Sequence, residues 1–124
     1  MNRHEYRLKI VVALYQHLLL KKDIESCFID NFDSTDDFVD SIKNDLNNNI
    51  DAYIEEIDSK LNHWKFDRLA YVDQAILLEA TCEYHLNLNT KNIIIDEAIR
   101  IAKDYSDEES YKYINGVLDN LWTK

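Results

Sequence analysis

The stretch YSDEESYKYINGVLDNLWTK, residues 105–124, decides the fold. Tyr111, Ile114, Val117, Leu118, Leu121 and Trp122 recur at the i, i+3, i+4, i+7 spacing that lines one side of a 3.6-residue helix. One face of this segment must therefore be buried against the rest of the chain. Ser106 followed by Glu109 is a capping-box pattern, in which the serine oxygen takes an orphan N–H and the glutamate reaches back to the cap; it predicts a helix that starts at about Asp107. Gly116, the only glycine of the 124 residues, falls mid-helix beside Asn115, where glycine costs about 1 kcal/mol relative to alanine. Two readings account for it: close packing of a neighbouring helix over the missing side chain, or an opening that a ligand uses.

The rest of the composition agrees with a helical chain. There is no proline and only that glycine, so the punctuation needed for many short strands and tight turns is absent. The expected fold class is all-α, in a single domain over residues 1–124. Hydrophobic residues make up 46% and charged residues 31%, as in ordinary globular proteins. No apolar run approaches the ~20 residues that span a bilayer, and no signal-peptide pattern follows Met1. Cys27 and Cys82 are isolated and in no zinc spacing, which fits a reducing cytoplasm and a role as small apolar filler.

A net charge of −10 argues against a general nucleic-acid binder, but the charge is unevenly spread. Residues 1–22 carry five Lys or Arg against Glu5 alone, whereas residues 23–124 carry nine against 23 Asp or Glu. Any contact with phosphate is expected to be local and N-terminal.

Reading back along the chain, a first helix is expected from about Arg3 to Leu20, burying Leu8, Val11, Val12, Tyr15, Leu18 and Leu19. Arg3, His4 and Arg7 form a small cationic lobe on its first turns. A short apolar cluster at Ile24, Phe28, Ile29 and Phe32 suggests a helical turn over the core. Ser34 and Asp37 resemble a capping signal, and Phe38, Ile42, Leu46, Ile50, Ile57 and Leu61 carry one long amphipathic helix, with a fray or kink expected at Asn47-Asn48-Asn49. A short turn from Trp64 leads to a helix at about Val72 to Leu88 that is apolar on more than one side and so central. Thr90 or Asn92 can cap the next, with Ala98, Ile99, Ala102 and Tyr105 facing inward.

Catalytic signatures are missing. No glycine-rich phosphate loop, GxSxG, HExxH or metal-spaced His/Cys set occurs, and no cofactor is expected. His4, His17, His63 and His85 lie far apart. Cys82, Glu83 and His85 share a helix face, which by itself gives no activated thiol.

Three runs resemble one family in order and spacing: Val72-Asp73-Gln74-Ala75-Ile76-Leu77-Leu78 leading to Glu83-Tyr84; Asp96-Glu97-Ala98-Ile99-Arg100-Ile101-Ala102-Lys103; and Ser110-Tyr111-Lys112-Tyr113-Ile114-Asn115-Gly116-Val117-Leu118-Asp119. Together with Arg3, Arg7 and Ala13-Leu14-Tyr15-Gln16 they resemble NusB, the bacterial transcription antitermination family. The resemblance implies about seven helices in two small helical subdomains packed around the first helix, and no catalytic activity. It implies binding of single-stranded boxA-type RNA of ribosomal RNA transcripts together with the ribosomal protein NusE, and assembly with RNA polymerase elongation complexes and other Nus factors in the cytoplasm.

Carried onto this chain, the resemblance makes Arg3, His4, Arg7, Glu109, Lys112 and Tyr113 the RNA-binding residues and Tyr15 and Glu83 the partner-facing ones. It also places Lys112, Tyr113 and Gly116 beside Arg3 and Arg7. Glu5 adds a carboxylate to the lobe, so weak, salt-sensitive binding that strengthens with the partner is expected. The alternatives are a module that recruits an enzyme modifying ribosomal RNA, since similar domains occur fused to ribosomal RNA methyltransferases, and a protein-interaction module with weakened RNA binding.

Overall fold

The chain enters its first helix through Asn2, whose side-chain oxygen accepts from the Glu5 N–H at 2.9 Å while the Glu5 carboxylate accepts from the Asn2 N–H at 3.4 Å. This is a capping box, and it gives Glu5 a task that turns its charge toward the helix start. In this computed structural model, which describes residues 1–122, the helices are α1 (Arg3–Leu20), α2 (Ile24–Asn31), α3 (Asp37–Asp58), α4 (Tyr71–His85), α5 (Lys91–Tyr105) and α6 (Ser110–Leu121). A 3-10 turn, Phe66–Arg68, precedes α4, and the described residues contain no strand. The fold is all-helical, as expected.

Side-chain oxygens set most of the boundaries. Asp23 caps α2 through the Ser26 N–H, and Thr90 caps α5 through the Ile93 N–H. The long helix starts from Asp36, which accepts from both the Phe38 and Val39 N–H groups, rather than from Ser34 or Asp37. It runs unbroken through Asn47-Asn48-Asn49, because Phe38, Ile42, Leu46, Tyr53 and Ile57 keep one buried stripe on either side of that polar run.

α4 is the centre. Every residue from Asp73 to Glu83 is buried, and α1, α3, α5 and α6 all pack on it. Arg7 of α1 meets Glu83 near the end of α4, while Tyr15 of α1 shares a groove with Val72 at its start, so α1 and α4 are antiparallel. α6 runs the other way: its start meets Asp73 through Ser110, and Trp122, just past its end, stacks on Tyr84 with ring centroids 4.2 Å apart. The buried side chains of all six helices form one continuous core.

Two inward assignments fail. On α1 the fully enclosed residues are Arg7, Ile10, Val11, Ala13 and Leu14; Val12, Tyr15 and Leu19 of the expected stripe are exposed. The helix carries two apolar stripes, and periodicity cannot say which of them meets α4. Tyr105, expected inward, is 58% exposed at the end of α5.

Candidate nucleic-acid interface

Asp73 organises the start of α6. Its carboxylate, 2% exposed, accepts from the hydroxyls of Ser106 at 2.6 Å, Ser110 at 2.9 Å and Tyr113 at 2.6 Å. Burial, followed by the Asp73 hydrogen bond and charge, pushes the Tyr113 phenol well above its ordinary pKa. The expected capping box of Ser106 and Glu109 does not form, because Asp73 takes the Ser106 hydroxyl. Asp107 caps in its place, accepting from the Glu109 and Ser110 N–H groups at 3.1 and 3.0 Å. Glu109 and Lys112 are both exposed and lie 3.7 Å apart.

Gly116 packs against nothing. A Cβ built there meets no heavy atom within 4 Å, so close helix packing is not what the glycine serves. It lines the mouth of a cavity of about 660 Å³ between α6 and residues 60–70, with Tyr113, Val117 and Asn120 on the α6 side and Lys60, Asn62, Trp64 and Arg68 opposite. Gly116→Ala should therefore stabilise the fold by about 0.5–1 kcal/mol through helix propensity, read as a higher urea midpoint; a lower midpoint would reveal a contact at the glycine that the structure lacks.

The N-terminal lobe is elsewhere. Arg3 is exposed, with its guanidinium carbon 4.1 Å from the centre of the Phe38 ring. His4 Nδ1 lies 2.8 Å from Glu97 Oε2. Arg7 is 3% exposed and donates from Nε and one terminal nitrogen to the two Glu83 oxygens at 2.7 and 3.0 Å, while its other terminal nitrogen lies 3.7 Å from Glu97. Burial opposes the Arg7 charge, but the bonds to Glu83 and the nearby Glu79 and Glu97 outweigh it and raise its pKa. Burial also works against the Glu83 carboxylate, yet hydrogen bonds from Glu79, Arg7 and Asn89 hold it below the usual range. Glu79, enclosed and beside Glu83, is pushed well above that range by burial and by its neighbour's charge. Arg7 and Glu83 are thus partners in a sealed ion pair rather than surface groups for RNA or protein.

The expected meeting of first and last helices is not observed. Tyr113 is anchored at Asp73 and Arg7 at Glu83, ten residues and about 15 Å apart along α4. The reason is direction: α1 is antiparallel to α4, so its N-terminus lies at the end of α4 opposite to the start of α6.

Two surface features escaped the sequence reading. The first is the outward stripe of α1, where Leu8, Val11, Val12 and Tyr15 border an apolar groove of about 300 Å³ with Val72, Ile101 and Tyr105. The second is a basic segment away from the N-terminus: Lys60, His63, Trp64, Lys65 and Arg68, all exposed, against Asp67. Its signal was an aromatic interleaved with cations, hidden by the acidic helix before it. No group of three or more His, Cys, Asp or Glu among the described residues is placed to hold a metal ion. Burial, followed by the hydrogen bond to Asp45, pushes the Cys82 thiol far above its ordinary pKa, while His85 pairs with Glu56 at 2.7 Å, so these two form no nucleophile and base.

The sequence profile of the NusB family matches residues 4–122. The chain belongs to the NusB family. A transcription antitermination protein NusB of Bacillus cereus strain B4264 is 36% identical over 127 residues, covering 98% of this chain and 97% of the relative; that of Bacillus mycoides strain KBAB4 is 35% identical with the same coverage. Among solved structures, T. maritima NusB superposes with a TM-score of 0.88 at 30% identity, covering 98% of this chain and 90% of that one. A chain from the crystal structure of antitermination factors NusB and NusE in complex with dsRNA superposes at 0.75 with 24% identity and 98% coverage of both, a likeness of fold. This NusB chain therefore keeps the family's helical frame over nearly its whole length.

Proposed function

We propose that this protein is a transcription antitermination factor. In this reading it is a single domain over residues 1–124 that binds boxA-type single-stranded RNA of ribosomal RNA transcripts together with a NusE-like ribosomal protein, and joins RNA polymerase elongation complexes in the cytoplasm. It acts by binding and not as a catalyst. The observation that carries the reading is the family match over residues 4–122, alongside relatives of nearly the same length that are transcription antitermination proteins.

The surface supports a division of labour. Arg3 is free to meet phosphate at the start of α1, and Lys112 and the ring of Tyr113 do so at the start of α6. His4, held by Glu97, and Arg7, held by Glu83, orient the first turns of α1. Glu109 tempers the charge of Lys112. Tyr15 opens onto the apolar groove with Val72, Ile101 and Tyr105, a surface suited to the protein partner, while Glu83 serves that face only by holding Arg7.

Few free cations on a chain of net charge −10 give weak, salt-sensitive RNA binding that a basic partner strengthens. Titrating labelled boxA-like RNA with this protein should show affinity falling about tenfold between 50 and 200 mM salt. Adding a NusE-like protein should tighten binding, and Arg3→Ala should weaken it. RNA affinity that is the same with and without the partner, or insensitive to salt, contradicts the reading.

A further inference from the structure

The segment from Ser59 to Ala70 is held firmly at both ends yet presents its largest aromatic side chain to solvent. Phe66 is 4% exposed and inserts into the core; its N–H donates to Asp58 at 2.8 Å, and the Gln74 amide donates to the Leu69 carbonyl at 2.9 Å. Between these anchors Trp64 is 64% exposed. A tryptophan left open on a slack loop needs no explanation, but on a pinned one it is a presented surface.

The charges of the cleft below it are unequal in their freedom. Among the described residues Lys60, Lys65 and Arg68 have no ion-pair partner. The acidic groups facing the same space are engaged: Asp73 by three hydroxyls, Asp107 by two backbone N–H groups, and Glu109 by Lys112. What remains for a ligand is therefore cationic and aromatic. The α6 wall is cut back at Gly116, the cavity of about 660 Å³ lies within the usual size range for small-molecule sites, and the amides of Asn62 and Asn120 line it with both donors and acceptors.

We propose that this cleft takes one unstacked nucleobase of the bound RNA strand, stacked on Trp64, with Lys60 and Arg68 on the flanking phosphates and Asn62 or Asn120 at the base edge. The inference rests on the RNA-binding reading above and adds a second contact region, at the opposite end of α4 from Arg3. A flat π-face next to free cations and edge-reading amides suits a nucleotide better than an acidic peptide, which would leave the amides and the stacking surface largely unused.

The test is an anisotropy titration of a labelled single-stranded boxA-like RNA with the full chain, at low salt, in the presence of the NusE-like protein. Trp64→Ala should weaken binding by about 5- to 150-fold, the worth of one base–aromatic stack, and Trp64→Phe should restore most of it. Lys60→Gln with Arg68→Gln should lower the slope of log affinity against log salt by about 1.4, or about 0.7 for each phosphate of a single strand. All four positions are exposed or open, and the melting temperature should stay unchanged. Wild-type binding with Trp64→Ala within twofold of it overturns the inference and leaves the RNA-binding reading standing. Loss of the NusE-like protein by Trp64→Ala with unchanged RNA affinity makes the cleft a protein site and also overturns it. Wild-type protein that binds no RNA removes the RNA-binding reading itself.

Discussion

Arg7→Ala should destabilise the fold by about 3–5 kcal/mol, the cost of stranding a buried charge whose partner has been removed. Glu83 is fully buried and receives both of its strong bonds from the Arg7 fork at 2.7 and 3.0 Å; without the fork only the Asn89 amide, at 3.2 Å, remains among the printed-length contacts of that carboxylate. Arg7→Lys should recover little, since a single ammonium cannot satisfy two oxygens held in that geometry. The apolar pair Arg7→Met with Glu83→Leu should be far milder than either single change, because no charge is then left in the core. Urea denaturation decides it: an Arg7→Ala loss below 1 kcal/mol would mean that water reaches Glu83 in the native state.

The same cluster sets a pH dependence of two opposed signs. Glu83 is held below the ordinary carboxylate range, so its contribution is present above the unfolded value of about 4.3 and is lost as pH falls through the folded value. Glu79 is held above that range, so the native state keeps a proton the unfolded chain releases, and stability is lost as pH rises from about 4.3 toward the folded value of Glu79. Glu79→Gln should remove the second slope and leave the first. Retention of both slopes in that variant would assign the proton to another group.

Asp73→Ala is expected to cost about 2–4 kcal/mol and to release the start of α6. Three hydroxyls lose a charged acceptor at once, each such bond being worth about 1.5–3 kcal/mol when its donor is left buried, with some recovered because Ser110 also donates to Asp107 at 3.0 Å. Asp73→Asn should cost less, since the amide oxygen still accepts and the hydroxyls can accept from its NH2. The functional consequence separates this from ordinary core damage. Tyr113 is the only one of the three donors placed on the cavity, along with Ser110, so its ring should lose its fixed position and RNA affinity should fall even at temperatures where the variant is fully folded. Thermal melts combined with RNA titration at low temperature test this; full RNA affinity in folded Asp73→Ala protein would show that Tyr113 needs no such anchor.

The helices were legible in the sequence because their signals are local. Arg3 to Leu20 needed only its apolar spacing, and the stripe of α6 from Ile114 to Leu121 is buried as its period requires. The site was less legible because its geometry is set across the chain. Ser106 has a suitable Glu109 three residues on, but its hydroxyl goes to Asp73, 33 residues away. Arg7 reads as a surface cation until Glu83, 76 residues away, is seen beside it. Tyr113 and Arg7 look adjacent on a list of basic and aromatic residues, yet the antiparallel run of α1 and α4 separates them. Trp64 reads as core by composition and is exposed because Phe66, two residues on, takes the buried place.

The central claim is antitermination, and read-through measures it. RNA polymerase elongation complexes transcribing a boxA-bearing leader toward a terminator, supplied with the NusE-like protein and other Nus factors, should pass the terminator more often when this protein is added, and less so with Arg3→Ala. Read-through that is unchanged by the wild-type protein, while its RNA and the NusE-like protein are bound, would contradict the account.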